Sequence, residues 1–200
     1  YDNRAHIGLL RDVMIRISRQ NECMVVISFA KNDQERISLL LDALKGQFKS
    51  ITSLYYTINT KVNNFIYDLD MIHYAGNEQM EEHLGHLKFK IRPKSFFQTN
   101  SEQAYNLYEE VRLFADFQGG ENLYDLYCGT GSIGLFLARD CKKVVGVEEV
   151  EQAVLDAREN AEMNHIDNAL FHLGRVRDVL DESFQQVHGK PDLIITDPPR

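Results

Sequence analysis

The chain has 200 residues, 44% of them hydrophobic, enough for one large or two small domains with a sizeable core. A net charge of −8 and a pI near 5.4 argue against a globally basic nucleic-acid binder while leaving room for a local basic patch. No run of about 20 apolar residues is present to make a membrane-spanning helix, and the opening Y-D-N-R-A-H does not read as a signal peptide.

Residues 9–18 and 22–30 are β-rich, and Val13, Ile15 and Ile17 alternate with Asp12, Met14 and Arg16, which predicts a hairpin. Ile37, Leu40, Leu41 and Leu44 follow helical spacing, with Gly46 as a stop. Residues 51–59 and 64–73 read as two more strands. None of this carries a catalytic motif, and the sequence predicts a small α+β domain over residues 1–92. Lys88, Lys90, Arg92 and Lys94 would share one face of a strand and could meet phosphates. A solvated face that discourages edge pairing is the favoured reading of them.

After Pro93, K-S-F-F-Q-T-N leads into a helix capped by Asn100 or Ser101 and running to about residue 116, ended by Gly119 and Gly120. Tyr105, Leu107, Tyr108, Val111, Leu113 and Phe114 are its predicted buried face. Strands at 123–126, 143–147, 169–173 and 192–196 then alternate with helices, one over 150–164 and a short one before the last strand. That order predicts an α/β domain over 93–200 with a parallel sheet and right-handed crossovers.

The stretch L-Y-D-L-Y-C-G-T-G-S-I-G joins the first of these strands to its helix. Glycines 129, 131 and 134 accept positive φ and let a ligand approach the main chain. Dinucleotides place a pyrophosphate at such a turn. S-adenosylmethionine (SAM) has no phosphate and carries a cationic sulfonium, for which the acid at Asp125 is suited. The loop reads as a SAM loop, with a dinucleotide loop and a purely structural turn as the alternatives.

Glu148 ends the second strand, 19 residues after Gly129, where an acid can accept both ribose hydroxyls. Glu149 reads as an exposed residue at a helix start. Asp197, in T-D-P-P-R, is the first polar residue beyond an apolar run, and the following prolines stiffen the backbone. Such a prong suits a group that holds a planar base near a methyl donor, and a capping Asp before a proline stop is the bland alternative. Gln98 can donate and accept together, and Phe96 or Phe97 could stack on a ring or simply belong to the core. His83 and His86 lack a third ligand, so no metal is expected. Cys23, Cys128 and Cys141 are scattered without C-x-x-C spacing, which predicts no disulfide framework and a reducing cytoplasmic setting.

In their order, S-F-F-Q-T-N, D-L-Y-C-G-T-G-S-I-G, V-V-G-V-E-E-V and D-P-P-R resemble the SAM-dependent RNA uracil-5-methyltransferases that act on transfer and large-subunit ribosomal RNA. The resemblance is strong over residues 90–200. It is looser before, through L-L-R-D-V-M-I-R and the N-x-x-x-N-x-I pattern at residues 59–66. It implies a Rossmann-like methyltransferase sheet, SAM as cofactor and an RNA substrate methylated on uridine carbon 5. By the same resemblance Gln98, Tyr127 and Ser132 contact the cofactor, Ser132 through its backbone since many members have Asn there, beside Asp125, Gly129 and Gly131 as read from the loop itself. Glu148 holds the ribose, and Asp197 stands near both SAM and the uracil. Arg175 stands where the family often offers Asn or Asp to the adenine side. Members attack carbon 6 with a cysteine thiolate and remove the carbon 5 proton with a base, usually Glu. The resemblance places both after residue 200. The expectation is therefore a carboxyl-terminally truncated piece, inactive alone, with four strands of a larger sheet. A nucleobase amino-methyltransferase of the D-P-P type is a second reading, weakened by Arg200 where that group has an aromatic ring. A non-catalytic SAM-binding RNA-docking module is a third.

Overall fold

Leu10–Ile17 (β1) and Cys23–Phe29 (β2) form the expected antiparallel hairpin, pairing Val13 with Ile27 and Ile15 with Val25. Ile51–Ile58 (β3) lies parallel to β2, and Ile72–Gly76 (β4) antiparallel to β3, giving the order β1-β2-β3-β4. The helix Gln34–Gln47 (α1) is N-capped by Asp33, which accepts the Arg36 N–H at 3.3 Å. Its Ile37 and Leu41 pack against Val25, Ile27, Phe29, Leu54 and Tyr56. Gly46, predicted as the stop, lies inside the last turn. Glycine there costs only about 1 kcal/mol, and the helix closes one residue later, where the Phe48 N–H meets the Leu44 carbonyl. The computed structural model describes residues 1–2 and 4–198, so Pro199 and Arg200 of the D-P-P-R motif lie outside the described residues. The chain divides into two compact units, residues 1–82 with 91–94, and residues 83–90 with the chain from 95 onward.

Residues 64–71 are not the strand expected for them. The Arg11 guanidinium donates to the carbonyls of Asn59 (2.8 Å), Lys61 and Asn63 (3.0 Å) and to Asn64 Oδ1 (2.8 Å). Buried Asn59 donates to the Asn63 carbonyl and accepts the Lys61 N–H, each at 3.0 Å. The carbonyls leading into this segment are thereby engaged by side chains rather than by a neighbouring strand, and pairing resumes only at β4.

Met80–Leu84 (β5) and Leu87–Ile91 (β6) make a two-stranded sheet. The basic stripe ends with it: Lys88 and Lys90 lie in β6, Arg92 and Lys94 beyond it, and the Lys90 ammonium is ion-paired with Glu159. Ser101–Ala115 (α2) is capped by Asn100, whose Oδ1 accepts the Gln103 N–H at 3.0 Å, and stops at Asp116 in the left-handed region, ahead of the two glycines. Its buried face differs from the expected one. Ser101, Ala104 and Tyr108 are buried, while Leu107, Leu113 and Phe114 (86%) are exposed. Tyr108 fixes the rotation of the helix by setting its ring edge-on to Phe136, 5.7 Å between centroids.

Four parallel strands follow, Asn122–Leu126 (β7), Lys143–Glu148 (β8), Ala169–Leu173 (β9) and Leu193–Thr196 (β10), in the order β10-β7-β8-β9. This is the predicted α/β sheet. Ser132–Leu137 (α3) and Glu151–Met163 (α4) cover one face, where Gly134 abuts Asp125 and Val144, and Gly131 abuts Phe171 and Ala157. The other face, Tyr124, Leu126, Val145 and Val147, packs on Val176, Val179, Leu180 and Phe184. These come from two short helices rather than the expected one, Val176–Val179 (α5) and Glu182–His188 (α6), because Asp181 restarts the helix by accepting the Phe184 N–H at 2.7 Å. After β9 the chain returns to the opposite side of β7. The order of winding therefore reverses between β7 and β10, and open α/β sheets bind ligands beyond the carboxyl ends of their strands at such a point.

Candidate functional site

The turn after β7 is pinned to the end of β8. The N–H groups of Tyr127 and Cys128 both donate to the Val147 carbonyl, at 2.9 and 3.2 Å, and the Gly131 N–H donates to the Cys128 carbonyl at 2.8 Å. Tyr127, Gly129 and Gly131 have φ of 63°, 54° and 77°. Gly131 has two reasons to be glycine: its φ, and an added Cβ would lie 2.8 Å from the Phe171 ring.

Glu148 closes the loop from the side. Its Oε2 accepts the Gly129 N–H at 3.0 Å and its Oε1 the Val150 N–H at 2.9 Å, and each oxygen keeps a lone pair for a further donor. Asp125 sits beneath the loop, 2% exposed, with Oδ2 accepting the Gly134 N–H at 2.8 Å. Burial pushes its carboxyl up to about 7; the Gly134 bond opposes this, and the charges of Asp197 and Glu148 add to it. Asp197, exposed at the carboxyl end of β10, also acts on Tyr108, whose hydroxyl burial pushes up to about 12. Tyr108 Oη lies 2.9 Å from Ser132 Oγ, so the Ser132 side chain is engaged inside the protein. Two carboxyl groups thus bear on the glycine turn, and the charge of a third, Asp197, reaches Asp125.

Beside the turn opens a cleft of about 380 Å³, lined by Tyr127, Glu149, Gly174, Arg175, Val176 and Arg177, within the usual size of small-molecule sites. Tyr127 remains 38% exposed there. Glu149, read from the sequence as a surface residue, is exposed but also belongs to the cleft wall, with Oε2 3.3 Å from Arg175 Nε. Gln98 is half-buried and makes no hydrogen bond among the described residues, which leaves its amide available. Phe97 packs on Phe89, 5.3 Å between centroids, as a core residue, whereas Phe96 is 66% exposed.

One set of supporting residues escaped the sequence reading. Asp156 and Asn160 lie on the inward face of α4, among Val154, Ala157 and Ala161, and half-buried Asn164, four residues on, caps its end. Polar residues at helical spacing within an otherwise apolar face were the available signal.

The cysteines are poor nucleophiles. Burial pushes the Cys128 thiol far up, and Asp125 and Glu148 push it further; it raises Cys141 to about 11, and Cys23 also moves up. His86 lies 3.3 Å from the Arg139 guanidinium. Among the described residues no group of three His, Cys, Asp or Glu side chains could hold a metal ion, and no helix is long and apolar enough to cross a membrane.

A family model described as a methyltransferase domain matches residues 118–198. The chain is 48% identical, over all of its length, to an uncharacterized RNA methyltransferase of Porphyromonas gingivalis, and 47% identical over 98% of its length to one of Bacteroides thetaiotaomicron. It spans 43% and 44% of those relatives, less than half of each. Among solved structures it resembles the Pyrococcus abyssi tRNA (uracil-54, C5)-methyltransferase in complex with S-adenosyl-L-homocysteine. That likeness has a TM-score of 0.78 and 30% identity, and covers 98% of this chain and 45% of that one. The tRNA m1G37 methyltransferase of M. jannaschii, 13% identical with a TM-score of 0.60 over all of this chain and 57% of its own, shares the fold.

Proposed function

We propose that this chain is the cofactor-binding part of a SAM-dependent RNA methyltransferase that acts on carbon 5 of a uridine in transfer or ribosomal RNA. The observation that carries the cofactor reading is the fixed carboxylate of Glu148 against Gly129, with Asp125 below the turn and Asp197 across the switch point. A dinucleotide would bring two phosphate charges toward the carboxylates of Glu148 and Asp197, where like charges repel. A sulfonium brings a positive one.

In this reading the free lone pairs of Glu148 accept the ribose hydroxyls, and the glycine turn lets the main chain approach the ligand. Tyr127 and the segment from Gly174 to Val176 flank the adenine side. The amide of Gln98 contacts cofactor or base, and Asp197 orients the base. SAM, when bound, supplies the electrophilic methyl group. Asp125 holds the start of α3 from below, so its place is that of a support for the turn.

Uridine carbon 5 as the target is favoured by the S-F-F-Q and D-P-P-R motifs and by the likeness to the P. abyssi uracil enzyme. The resemblance assigns the attacking cysteine to the longer protein, after residue 200, and burial of Cys128 and Cys141, which raises their thiols, agrees with that assignment. The test uses the full-length native protein. Calorimetric titration with S-adenosylhomocysteine and with NAD distinguishes the cofactors, and binding of NAD alone would overturn the reading. RNA containing 5-fluorouracil should form a covalent, methylated adduct. Methyl transfer without a trapped adduct would favour an amino-methyltransferase, and cofactor binding with no transfer a non-catalytic module.

A further inference from the structure

We infer that Asp156 and Asn160 of α4 are positioning residues for the methyl donor, setting the distance between the glycine turn and the segment that carries Gln98. The inference rests on the cofactor reading above.

Both side chains are buried, Asn160 completely. A buried amide or carboxylate is costly unless its hydrogen bonds are made, and each of these makes them to a different segment. Asp156 accepts the Ser95 hydroxyl on Oδ2 at 2.7 Å and the Gln152 amide on Oδ1 at 2.9 Å. Asn160 donates to the Thr130 carbonyl at 3.2 Å and accepts the Lys90 N–H at 3.0 Å. Asn164 accepts the Lys88 N–H at 2.9 Å and donates to the Lys88 carbonyl at 2.7 Å. Thr130 lies between Gly129 and Gly131, and Ser95 opens S-F-F-Q-T-N, three residues before Gln98.

One turn of one helix therefore holds two pieces of the site that are far apart in sequence. Apolar residues at 156 and 160 could pack α4 against the sheet as well, since packing does not need direction. Directional bonds to one carbonyl and one hydroxyl add what packing lacks, a fixed separation of about 6 Å along the axis. Asn164 offers an internal control: its bonds reach β6 and its own helix, and among the described residues none reaches the glycine turn or the Gln98 segment.

The experiment compares Ser95→Ala, Asn160→Ala and Asn164→Ala in the full-length protein. It measures S-adenosylhomocysteine affinity by calorimetry, the KM values for SAM and RNA, and Tm without ligand. We expect Ser95→Ala and Asn160→Ala to weaken S-adenosylhomocysteine about tenfold and to raise KM for SAM while KM for RNA stays. Asn164→Ala should lower Tm comparably and leave affinity within about twofold. Asn160→Asp, which keeps the acceptor for Lys90 but loses the donor to Thr130, should bind as weakly as Asn160→Ala. Wild-type affinity in Ser95→Ala and Asn160→Ala, measured well below their Tm, would overturn the inference. So would an equal loss in Asn164→Ala, since α4 would then act through stability alone. If Asn160→Ala does not fold, Ser95→Ala, which leaves α4 intact, decides the matter. A wild-type protein that binds no S-adenosylhomocysteine removes the cofactor reading itself, a failure distinct from the others.

Discussion

Glu148 accepts the backbone N–H of Gly129 at 3.0 Å across 19 residues of sequence. The end of β8 and the turn after β7 are thereby one rigid body. The carboxylate proposed for the ribose already fixes the loop that the donor must lie upon.

Glu148→Gln exchanges one carboxylate oxygen for an amide NH2, a donor that then faces an N–H donor. We expect S-adenosylhomocysteine affinity to fall at least about tenfold and unfolding free energy to drop by about 1–3 kcal/mol, the cost of an unmade bond to a charged acceptor. Calorimetry and urea titration check the two effects. Unchanged affinity would take Glu148 out of the ribose role.

Gly131→Ala meets two obstacles, the left-handed φ of 77° and the Phe171 ring 2.8 Å from the new Cβ. Backbone strain of this kind costs about 1–3 kcal/mol. Pairing it with Phe171→Leu opens space without relaxing φ. The double variant should therefore recover part of the Tm and little of the ligand affinity, and full recovery would mean that crowding alone required the glycine.

The Asp125 carboxyl titrates at about 7 in the folded chain, against about 3.9 when unfolded. Between those values the folded state holds more protons than the unfolded one. Its contribution is thus intact below about pH 4 and is lost as pH rises through about 7, at up to about 1.4 kcal/mol per pH unit. Asp125→Asn keeps an acceptor for the Gly134 N–H and stays neutral. We expect urea midpoints of wild type to fall relative to this variant between about pH 5 and pH 8. Parallel curves for the two proteins would contradict the buried, protonated carboxyl, and the difference removes any contribution from the histidines.

Thiolate is the reactive form of cysteine, and burial raises all three thiols here. In the native protein near neutral pH, Cys128 and Cys141 should resist iodoacetamide that labels them readily in urea, as mass spectrometry of the alkylated peptides would show. Cys128→Ala in the full-length protein should still trap 5-fluorouracil RNA. Loss of the adduct with the fold retained would make Cys128 the nucleophile after all.

Much of the second unit was legible because its signals are local. Glycines at 129, 131 and 134 mark a strand-to-helix turn, and Glu148 follows Val144–Val147 as the first polar residue of a buried run. The misreadings have a common physical origin: they concern residues whose fate is settled by something distant in sequence. The apolar spacing of Leu107, Leu113 and Phe114 predicted a buried face, yet Tyr108 against Phe136 sets the rotation of α2. Residues 64–71 have strand-like composition, but Arg11, about fifty residues earlier, takes the carbonyls around them. Asp156, Asn160 and Asn164 look like surface positions until their partners at Ser95, Thr130, Lys90 and Lys88 are brought alongside.

The spatial order β10-β7-β8-β9 sets the first of these four strands beside the fourth. During synthesis from the amino terminus, β7, β8 and β9 can associate as soon as they leave the ribosome, with Glu148 already docked on its turn. Asp197 comes later than Glu148, on a strand that must find β7 after some seventy further residues have been made. The nascent domain therefore carries half a crevice for that interval, and a translational pause before β10 would prolong exposure of the unpaired side of β7 rather than of β8.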